Sequence, residues 1–195
     1  MRRLILASTS RYRRELLSRL RLPFEVQAPD TAEDPIEGEP PAAMAARLAL
    51  AKARSIRAAD AVIIGSDQVA SLEGRLLRKP GGHVAALRQL QACQGKTVLF
   101  HTAAVVLDTA SGAMAAHTDR TEVQFATLDE AALVRYLTLE QPYDCAGSFK
   151  AEGLGVTLFA NIVSNDPTAL IGLPLIWVAA ALRAMGADPL RSADS

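Results

Sequence analysis

The chain has 195 residues, half of them apolar, and its 21 basic residues balance its 21 acidic residues. The length and apolar content predict a single domain over 1–195 with a sizeable core, and the zero net charge argues against bulk attraction to nucleic acid. The chain has two cysteines, Cys93 and Cys145, which are too few for a disulfide framework or a zinc site, and we expect both to be small buried thiols. The apolar runs are too short for a signal peptide or a membrane span, which predicts a cytoplasmic protein.

The first predicted elements are a strand at Leu4–Ala7 and a helix that begins near Ser10. Ser and Thr are good N-caps, and the free N–H groups of a helix start bind anions. Arg11, Arg13 and Arg14 lie in or beside the first turn, where cations oppose the helix dipole. An anionic ligand would remove that conflict. The alternative is a capped helix with a solvated basic face.

The next predicted elements are a strand at Phe24–Ala28, a polar loop at Pro29–Pro41 and an Ala-rich helix at Ala42–Ala59. The loop is long enough to be functional. The helix carries Lys52, one of only four lysines among the 21 basic residues. Because arginine is the default cation of this chain, a lysine suggests a site that needs a compact point charge.

The central predicted strand is Ala61–Gly65, an uncharged β-branched run, and Ser66-Asp67-Gln68 follows it. Polar residues just past a buried strand of an α/β protein lie where ligands bind. Lys79-Pro80 comes twelve residues after Asp67. A carboxylate that could bind a metal or a water, with a lysine nearby, suits phosphate-ester chemistry. The alternative is an Asp that closes a turn.

The rest of the chain predicts a meander of strands between helices. The predicted elements are a hairpin of Val69–Leu72 and Leu76–Arg78 around Glu73-Gly74, a helix at His83–Cys93, strands at Lys96–Asp108 and Ala113–Ala126, a helix from Asp129 through Thr138, and a helix at Pro174–Met185 with Trp177 in the core. Early alternation of strands and helices, followed by a long antiparallel pair, favours an α/β fold with a mixed twisted sheet and flanking helices.

Four blocks in order resemble the Maf family of nucleotide pyrophosphatases over nearly the whole chain. They are Leu-Ala-Ser-Thr-Ser-x-x-Arg-Arg-x-Leu-Leu at 6–17, Gly65-Ser66-Asp67-Gln68-Val69, Lys79-Pro80, and Cys145-Ala146-Gly147-Ser148-Phe149-Lys150-x-Glu152-Gly153. The Ser-Asp-Gln block is similar to the branch that acts on 7-methylguanosine triphosphate. The resemblance implies two lobes around a cleft, similar to the inosine triphosphate pyrophosphatase fold, and a homodimer.

The resemblance also implies roles for particular residues. Asp67 is the predicted catalytic residue, as a general base for water or as a metal ligand, and Glu33 in the acidic loop would complete a site for Mg²⁺ or Mn²⁺. The alternative for Glu33 is an ordinary surface position. Residues predicted to bind the triphosphate are Ser8, Arg13, Lys52 and Lys79.

Tyr12, Gln68 and Glu152 are the predicted specificity residues. A 7-methylguanine ring is positively charged, so an aromatic face would attract it, and a carboxylate would accept from the N–H groups on its Watson–Crick edge. Otherwise Tyr12 packs on the sheet and Glu152 belongs to a turn. The chain departs from the family with Arg11 in place of a proline and with Ala32-Glu33 in place of Asp-Glu.

Two other functions remain open from the sequence. One is a pyrophosphatase for ordinary pyrimidine triphosphates, which the Ser-Asp-Gln block and Glu152 disfavour. The other is a nucleotide-binding regulator of cell division without turnover. Asp67 argues against it, because a carboxylate beside a triphosphate repels the ligand unless a metal intervenes.

Overall fold

The computed structural model describes residues 2–191 and shows a mixed α/β architecture, as predicted. The strands are β1 (Arg3–Ala7), β2 (Glu25–Gln27), β3 (Ala61–Leu72), β4 (Arg75–Leu77), β5 (Thr97–Asp108), β6 (Met114–Phe125) and β7 (Phe159–Val163). The helices are α1 (Arg11–Ser18), α2 (Pro41–Ser55), α3 (His83–Cys93), α4 (Glu130–Glu140) and α5 (Leu175–Ala184), with short 3₁₀ turns at Leu154–Leu158 and Ala169–Ile171.

The sheet has the strand order β2-β1-β3-β5-β6-β7, with β4 paired to the end of β3. β1 runs parallel to both β2 and β3, whereas β3, β5, β6 and β7 are successively antiparallel. β3 and β4 form the predicted hairpin, and its turn residues Glu73 and Gly74 both have positive φ, 51° and 80°. Two consecutive residues with positive φ form the turn that matches the twist of paired strands.

Helices cover the two ends of the long strands differently, which creates two lobes. In the first lobe, α2 packs on one face of β1, β3 and β5, while α1 and α5 pack on the other face. In the second lobe, α3 and α4 pack against the far ends of β3, β5 and β6. The second lobe is rich in aromatic contacts, with Phe149 in edge-to-face contact with Phe100, Phe125 and Phe159. β3 runs through both lobes.

The prediction that the central strand ends at Gly65 is wrong, because β3 continues to Leu72. Asp67 pairs in register with Ala103 of β5 and therefore lies in the middle of a strand rather than after its end. The polar residues tolerate this position because each has a tertiary partner. Ser66 donates to the Gly172 carbonyl oxygen, and Asp67 pairs with Lys52. Those partners are distant in sequence.

Other boundaries and burial predictions also change. α2 ends at Ser55 instead of Ala59, because Ile56 adopts an extended conformation and is buried. Strand β7 was not predicted. Trp177 packs against the core of the first lobe but is only half-buried, and it stacks on His117 at 5.4 Å between ring centroids. Cys93 is buried as expected, but Cys145 is only half-buried. In the described range, no helix is long and apolar enough to cross a bilayer.

Candidate active site

A cleft of about 760 Å³ lies beside the middle of β3, where the two lobes meet. Side chains from the start of α1, the loop before α2, α2 itself, β3 and the segment after α4 form its walls. All nine residues predicted for the site line it, namely Ser8, Tyr12, Arg13, Glu33, Lys52, Asp67, Gln68, Lys79 and Glu152. The sequence blocks that are far apart along the chain therefore converge on one cavity.

Asp67 lies on the face of β3 that α2 covers, and Lys52 of α2 meets it there. The Lys52 Nζ is 2.6 Å from Asp67 Oδ1 and 2.6 Å from Glu33 Oε1. Lys52 and Asp67 are only 5% and 7% exposed. Burying an ammonium or a carboxylate without a partner is very costly. The bridge therefore gives each of these buried groups a hydrogen-bonding partner.

Glu33 reaches this buried pair from the loop between β2 and α2. Partial burial by itself would raise the pKa of Glu33, but the hydrogen bond and charge of Lys52 outweigh it and hold the pKa below its ordinary value. The same loop is tied to α2 by Arg47, which forms two 2.7 Å contacts with the Glu39 carboxylate. Glu33 is thus an ionised wall residue in a loop that α2 anchors at two places.

Gly65 permits the close approach of α2 and β3 that this bridge requires. A Cβ at position 65 would lie 2.2 Å from the Ala49 carbonyl oxygen and 2.7 Å from the Ala53 nitrogen. Real Cβ atoms do not approach backbone atoms so closely, so a larger residue would force the helix away from the strand. The glycine of the Gly65-Ser66-Asp67 block therefore sets how near Lys52 comes to Asp67.

The start of α1 forms a polar corner of the cleft. The Ser10 side chain caps the helix by accepting from the Arg13 N–H, as predicted. The buried Ser8 Oγ accepts from the Ser10 N–H at 3.1 Å and from Arg13 Nη1 at 3.4 Å. Arg13 Nε donates to the Gly172 carbonyl oxygen at 2.9 Å. A held guanidinium beside a helix N-terminus is suited to an anion.

Two further lysines line the cleft, one of them exposed and the other hydrogen-bonded to the protein. Lys79 is exposed at its rim. Lys150, from the fourth sequence block, instead donates from Nζ to the Glu140 carbonyl oxygen at 2.6 Å. Lys79 is therefore the better placed of the two for an incoming anion. Lys96 lies outside the cleft in an exposed pair with Glu73, which agrees with its predicted surface position.

The ring of Tyr12 lies next to a cation in the wall of the cleft. The Arg11 guanidinium carbon is 4.7 Å from the ring centroid, and Arg11 Nη2 donates to Tyr12 Oη at 2.7 Å. Burial raises the pKa of Tyr12 to about 12, so the phenol is neutral. Cys145 Sγ is 3.7 Å from the same hydroxyl, and burial raises the pKa of that thiol to about 11. Glu152 is an exposed residue of the same cleft.

Gln68 points to the opposite face of β3 from Asp67, as alternation along a strand requires. Its Nε2 donates to Thr102 Oγ1 at 2.9 Å and to the carbonyl oxygens of Ala169 at 2.9 Å and Leu170 at 3.0 Å. These contacts attach the 3₁₀ turn at 169–171 to the strand. The base-specificity role predicted for Gln68 stays a prediction, and its observed contacts hold a wall of the cleft.

Sequence reasoning missed several residues that shape the site. Arg11 is a predicted first-turn cation and Cys145 a predicted buried thiol, but the sequence predicts no contact of either residue with Tyr12. Ser66 stood inside a recognised block, yet its contact with Gly172 depends on tertiary structure. The sequence predicts no role for the segment 169–172, although the Asn165-Asp166-Pro167 turn signal lies directly before it.

Glu33 and Asp67 supply only part of the ligands that a divalent cation needs. Within residues 2–191, no group of three or more His, Cys, Asp or Glu side chains is arranged to hold a metal ion. Glu33 and Asp67 nevertheless both point at one cation, the Lys52 ammonium. Mg²⁺ is commonly bound through one or two carboxylates together with substrate phosphates. The donor set is therefore sufficient only if a nucleotide supplies the remaining oxygens.

Comparison with known proteins shows the family of this chain. A family model described as Maf-like protein matches residues 3–185. The chain belongs to the Maf family. A Cupriavidus metallidurans protein named 7-methyl-GTP pyrophosphatase is 54% identical over 94% of this chain and 93% of its own length. An Albidiferax ferrireducens protein with the same name is 50% identical over 95% of this Maf chain and 94% of its own length. A Burkholderia pseudomallei protein, again with that name, is 54% identical over 94% of this chain and 88% of its own length.

Among solved structures, a HAM1 protein from Coxiella burnetii is similar to part of this Maf protein. The TM-score is 0.44 at 15% sequence identity, and the match covers 66% of this chain and 75% of the other.

Proposed function

We propose that this Maf protein is a pyrophosphatase that hydrolyses 7-methyl-GTP to the monophosphate and pyrophosphate. One observation carries the proposal: the buried Asp67 carboxylate lies in a cleft whose other walls hold Arg13, Lys79 and the Tyr12 ring. A cleft with cations for phosphates, an aromatic face for a base and a carboxylate for water contains the parts that the reaction needs. The relatives named 7-methyl-GTP pyrophosphatase support the choice of substrate.

In this mechanism, Asp67 orients or deprotonates the attacking water, or binds the metal. The water oxygen bonds to the α-phosphorus, the bond from that phosphorus to the bridging oxygen breaks, and pyrophosphate leaves. Ser8, Arg13 and Lys79 bind the phosphates and offset their charge. Glu33 and Asp67 are the residues we propose to hold a divalent cation, Mg²⁺ or Mn²⁺, which when bound neutralises charge on the phosphates.

The test is a pyrophosphate-release assay with 7-methyl-GTP, GTP, UTP and CTP, on the wild type and on Asp67→Asn. We expect the highest kcat/KM for 7-methyl-GTP, and a loss of about 10²–10⁴-fold in kcat for Asp67→Asn, the usual size of a general acid–base contribution. Asp34→Asn is the matched control, because it removes a carboxylate that also lines the cleft. A folded Asp67→Asn protein with wild-type kcat would remove Asp67 from the mechanism.

The same panel separates the two alternatives. A pyrimidine pyrophosphatase would release pyrophosphate from UTP and CTP faster than from 7-methyl-GTP. A regulator without turnover would bind nucleotide and release none. The buried Asp67 disfavours the regulator, because an unneeded carboxylate next to a triphosphate weakens binding.

We also propose that the protein is a homodimer, as its resemblance to the family implies, and that it is located in the cytoplasm, as its cysteine usage and short apolar runs predict. Sedimentation velocity of the purified chain tests the first point, since a monomer has a mass of 20.7 kDa. Fractionation of the source cells tests the second. A monomer at micromolar concentration, or recovery in the membrane fraction, would contradict the corresponding statement.

A further inference from the structure

We propose that Lys52 is an exchangeable cation. In the free protein, its ammonium takes the place that a divalent cation needs between Glu33 and Asp67, and it leaves that place when the metal and the nucleotide bind. The proposal rests on the proposed function, because it assumes that these two carboxylates hold the metal. It changes the predicted role of Lys52 from a permanent phosphate ligand to a group that alternates between two partners.

The position of Lys52 between the Glu33 and Asp67 carboxylates is the first observation behind this proposal. The Lys52 Nζ lies 2.6 Å from an oxygen of each carboxylate. A metal that bound both oxygens would need the space that this nitrogen fills. Two positive charges cannot share one buried position, because their repulsion grows as the local dielectric falls. The ammonium and the metal therefore compete for Glu33 and Asp67.

Burial makes this competition strong. Lys52 is 5% exposed and Asp67 is 7% exposed, so water does not replace either partner freely. An ammonium that leaves the carboxylates needs another anion, since a buried unpaired charge is very costly. Lys52 lines the same cleft as Arg13 and Lys79, the residues proposed to bind phosphate. Its flexible four-carbon stem lets the charge move without movement of α2.

A phosphate group is therefore the natural second partner of Lys52. Nucleotide binding draws the ammonium away from the carboxylates and so makes room for the metal. Coupling between two ligands is reciprocal, and typical values change each affinity by about 5–150-fold. The free protein should bind a divalent cation weakly, and part of the gain in metal affinity on adding nucleotide should come from the displacement of Lys52.

The experiment measures Mn²⁺ binding by electron paramagnetic resonance, without turnover. The wild type, Lys52→Met and Lys79→Met are titrated with Mn²⁺, first alone and then with the α,β-methylene analogue of 7-methyl-GTP. Without nucleotide, Lys52→Met should bind Mn²⁺ more tightly than the wild type, by about 5–150-fold. Lys79→Met is the matched control, because it removes another cleft lysine that does not bridge the two carboxylates, and its Mn²⁺ affinity should change far less than that of Lys52→Met.

The nucleotide arm separates exchange from simple chelation. The analogue adds phosphate oxygens to the metal in every variant, so it should tighten Mn²⁺ binding in all three. The gain should be larger for the wild type and for Lys79→Met than for Lys52→Met, because only Lys52→Met has no ammonium to displace. Equal gains in all variants, or free-protein Mn²⁺ affinity that is unchanged or weaker in Lys52→Met, would overturn the proposal.

Folding and function are controlled separately. Lys52→Gln, which keeps a hydrogen-bond donor without the charge, repeats the titration if Lys52→Met does not fold, and it should also bind Mn²⁺ more tightly than the wild type. At one Mn²⁺ concentration, Mn²⁺ should raise the Tm of either neutral variant more than that of the wild type, since stabilisation of the folded state increases with the logarithm of the ligand's affinity. Failure of the Mn²⁺ arms with intact 7-methyl-GTP turnover refutes only the exchange. Absence of turnover with any nucleotide refutes the proposed function.

Discussion

At the scale of single residues, we propose that Tyr12 contributes to the choice of base. The Arg11 guanidinium 4.7 Å from its ring centroid demonstrates that the ring can accept a cation at the wall of the cleft. A 7-methylguanine base carries a positive charge, whereas guanine and uracil do not. The base must use the ring face that Arg11 leaves free or displace Arg11. In either case, we expect the ring to favour a cationic base over a neutral one.

We expect Glu152→Gln and Tyr12→Ala each to narrow the preference for 7-methyl-GTP over GTP. Loss of a cation–π contact costs about 0.5–2 kcal/mol, which corresponds to roughly 2- to 30-fold in selectivity. The effect of Glu152 should lie at the lower end, because the residue is exposed and solvent screens its charge. The measurement is kcat/KM for 7-methyl-GTP, GTP and UTP. Tyr12→Phe is the control, since it keeps the ring face.

A wild type that prefers UTP would contradict this explanation of specificity. So would an unchanged ratio of 7-methyl-GTP to GTP in both truncated variants. The pyrophosphatase proposal would survive either result.

Lys79 is the residue with which the phosphate assignment is most cleanly tested. Arg13 also holds the Gly172 carbonyl, so its removal would disturb the wall of the cleft as well. We expect Lys79→Ala to lower kcat/KM about tenfold for every triphosphate alike, the lower range for a hydrogen bond to a charged group. Lys96→Ala, which removes a lysine outside the cleft, should change none of them. A variant that reorders the bases would place Lys79 in the base pocket.

At the scale of elements, the packing of α2 on β3 decides how Lys52 is placed relative to Asp67 and Glu33. Because a Cβ at position 65 would meet the α2 backbone at 2.2 Å, Gly65→Ala must push the helix outward. We expect a loss of about 1–3 kcal/mol in the free energy of unfolding, the usual cost of overpacking, together with reduced kcat. Urea unfolding measures the first quantity and pyrophosphate release the second.

The control is Gly82→Ala. Gly82 has nothing within 4 Å of an added Cβ and an extended φ of −169°, so alanine causes no overpacking there, and any loss of stability reflects only weaker capping of α3. Stability of Gly65→Ala equal to that of the wild type would show that α2 can shift at no cost, and the close approach would then not control the site.

For the whole molecule, the long strands link the two lobes. β3, β5 and β6 each have 12 residues, and β3 contributes to the cores of both lobes. We propose that the chain therefore unfolds as one unit, in keeping with the predicted single domain. Trp177 packs against the core of the first lobe and Tyr136 is buried in that of the second. Trp fluorescence, near-ultraviolet tyrosine absorbance and calorimetry should give one coincident transition.

Two separate thermal transitions, with Trp177 following only one of them, would show that the lobes unfold independently. The cleft between them would then open without unfolding of the cores.

The sequence alone predicted most of the elements and nine residues that line one cleft, while the roles of those nine residues stay predictions. Local signals sufficed for α1, α3, α4 and the hairpin at Glu73-Gly74, because caps, periodicity and turn residues act over a few positions. The convergence of the nine predicted residues on one cleft followed from motif blocks in a recognisable order. Those blocks contain charged and polar residues that secondary-structure propensity alone would not predict at these positions.

Tertiary structure alone decided where those residues lie and what they contact. The length of β3 could not be predicted, since Ser66, Asp67 and Gln68 are acceptable inside a strand only when Gly172, Lys52 and Ala169 supply partners. The Lys52 bridge, the cation over Tyr12 and the orientation of Gln68 away from Asp67 likewise arise from packing between distant segments. A sequence specifies which groups need partners, and only the folded chain determines which partners they have.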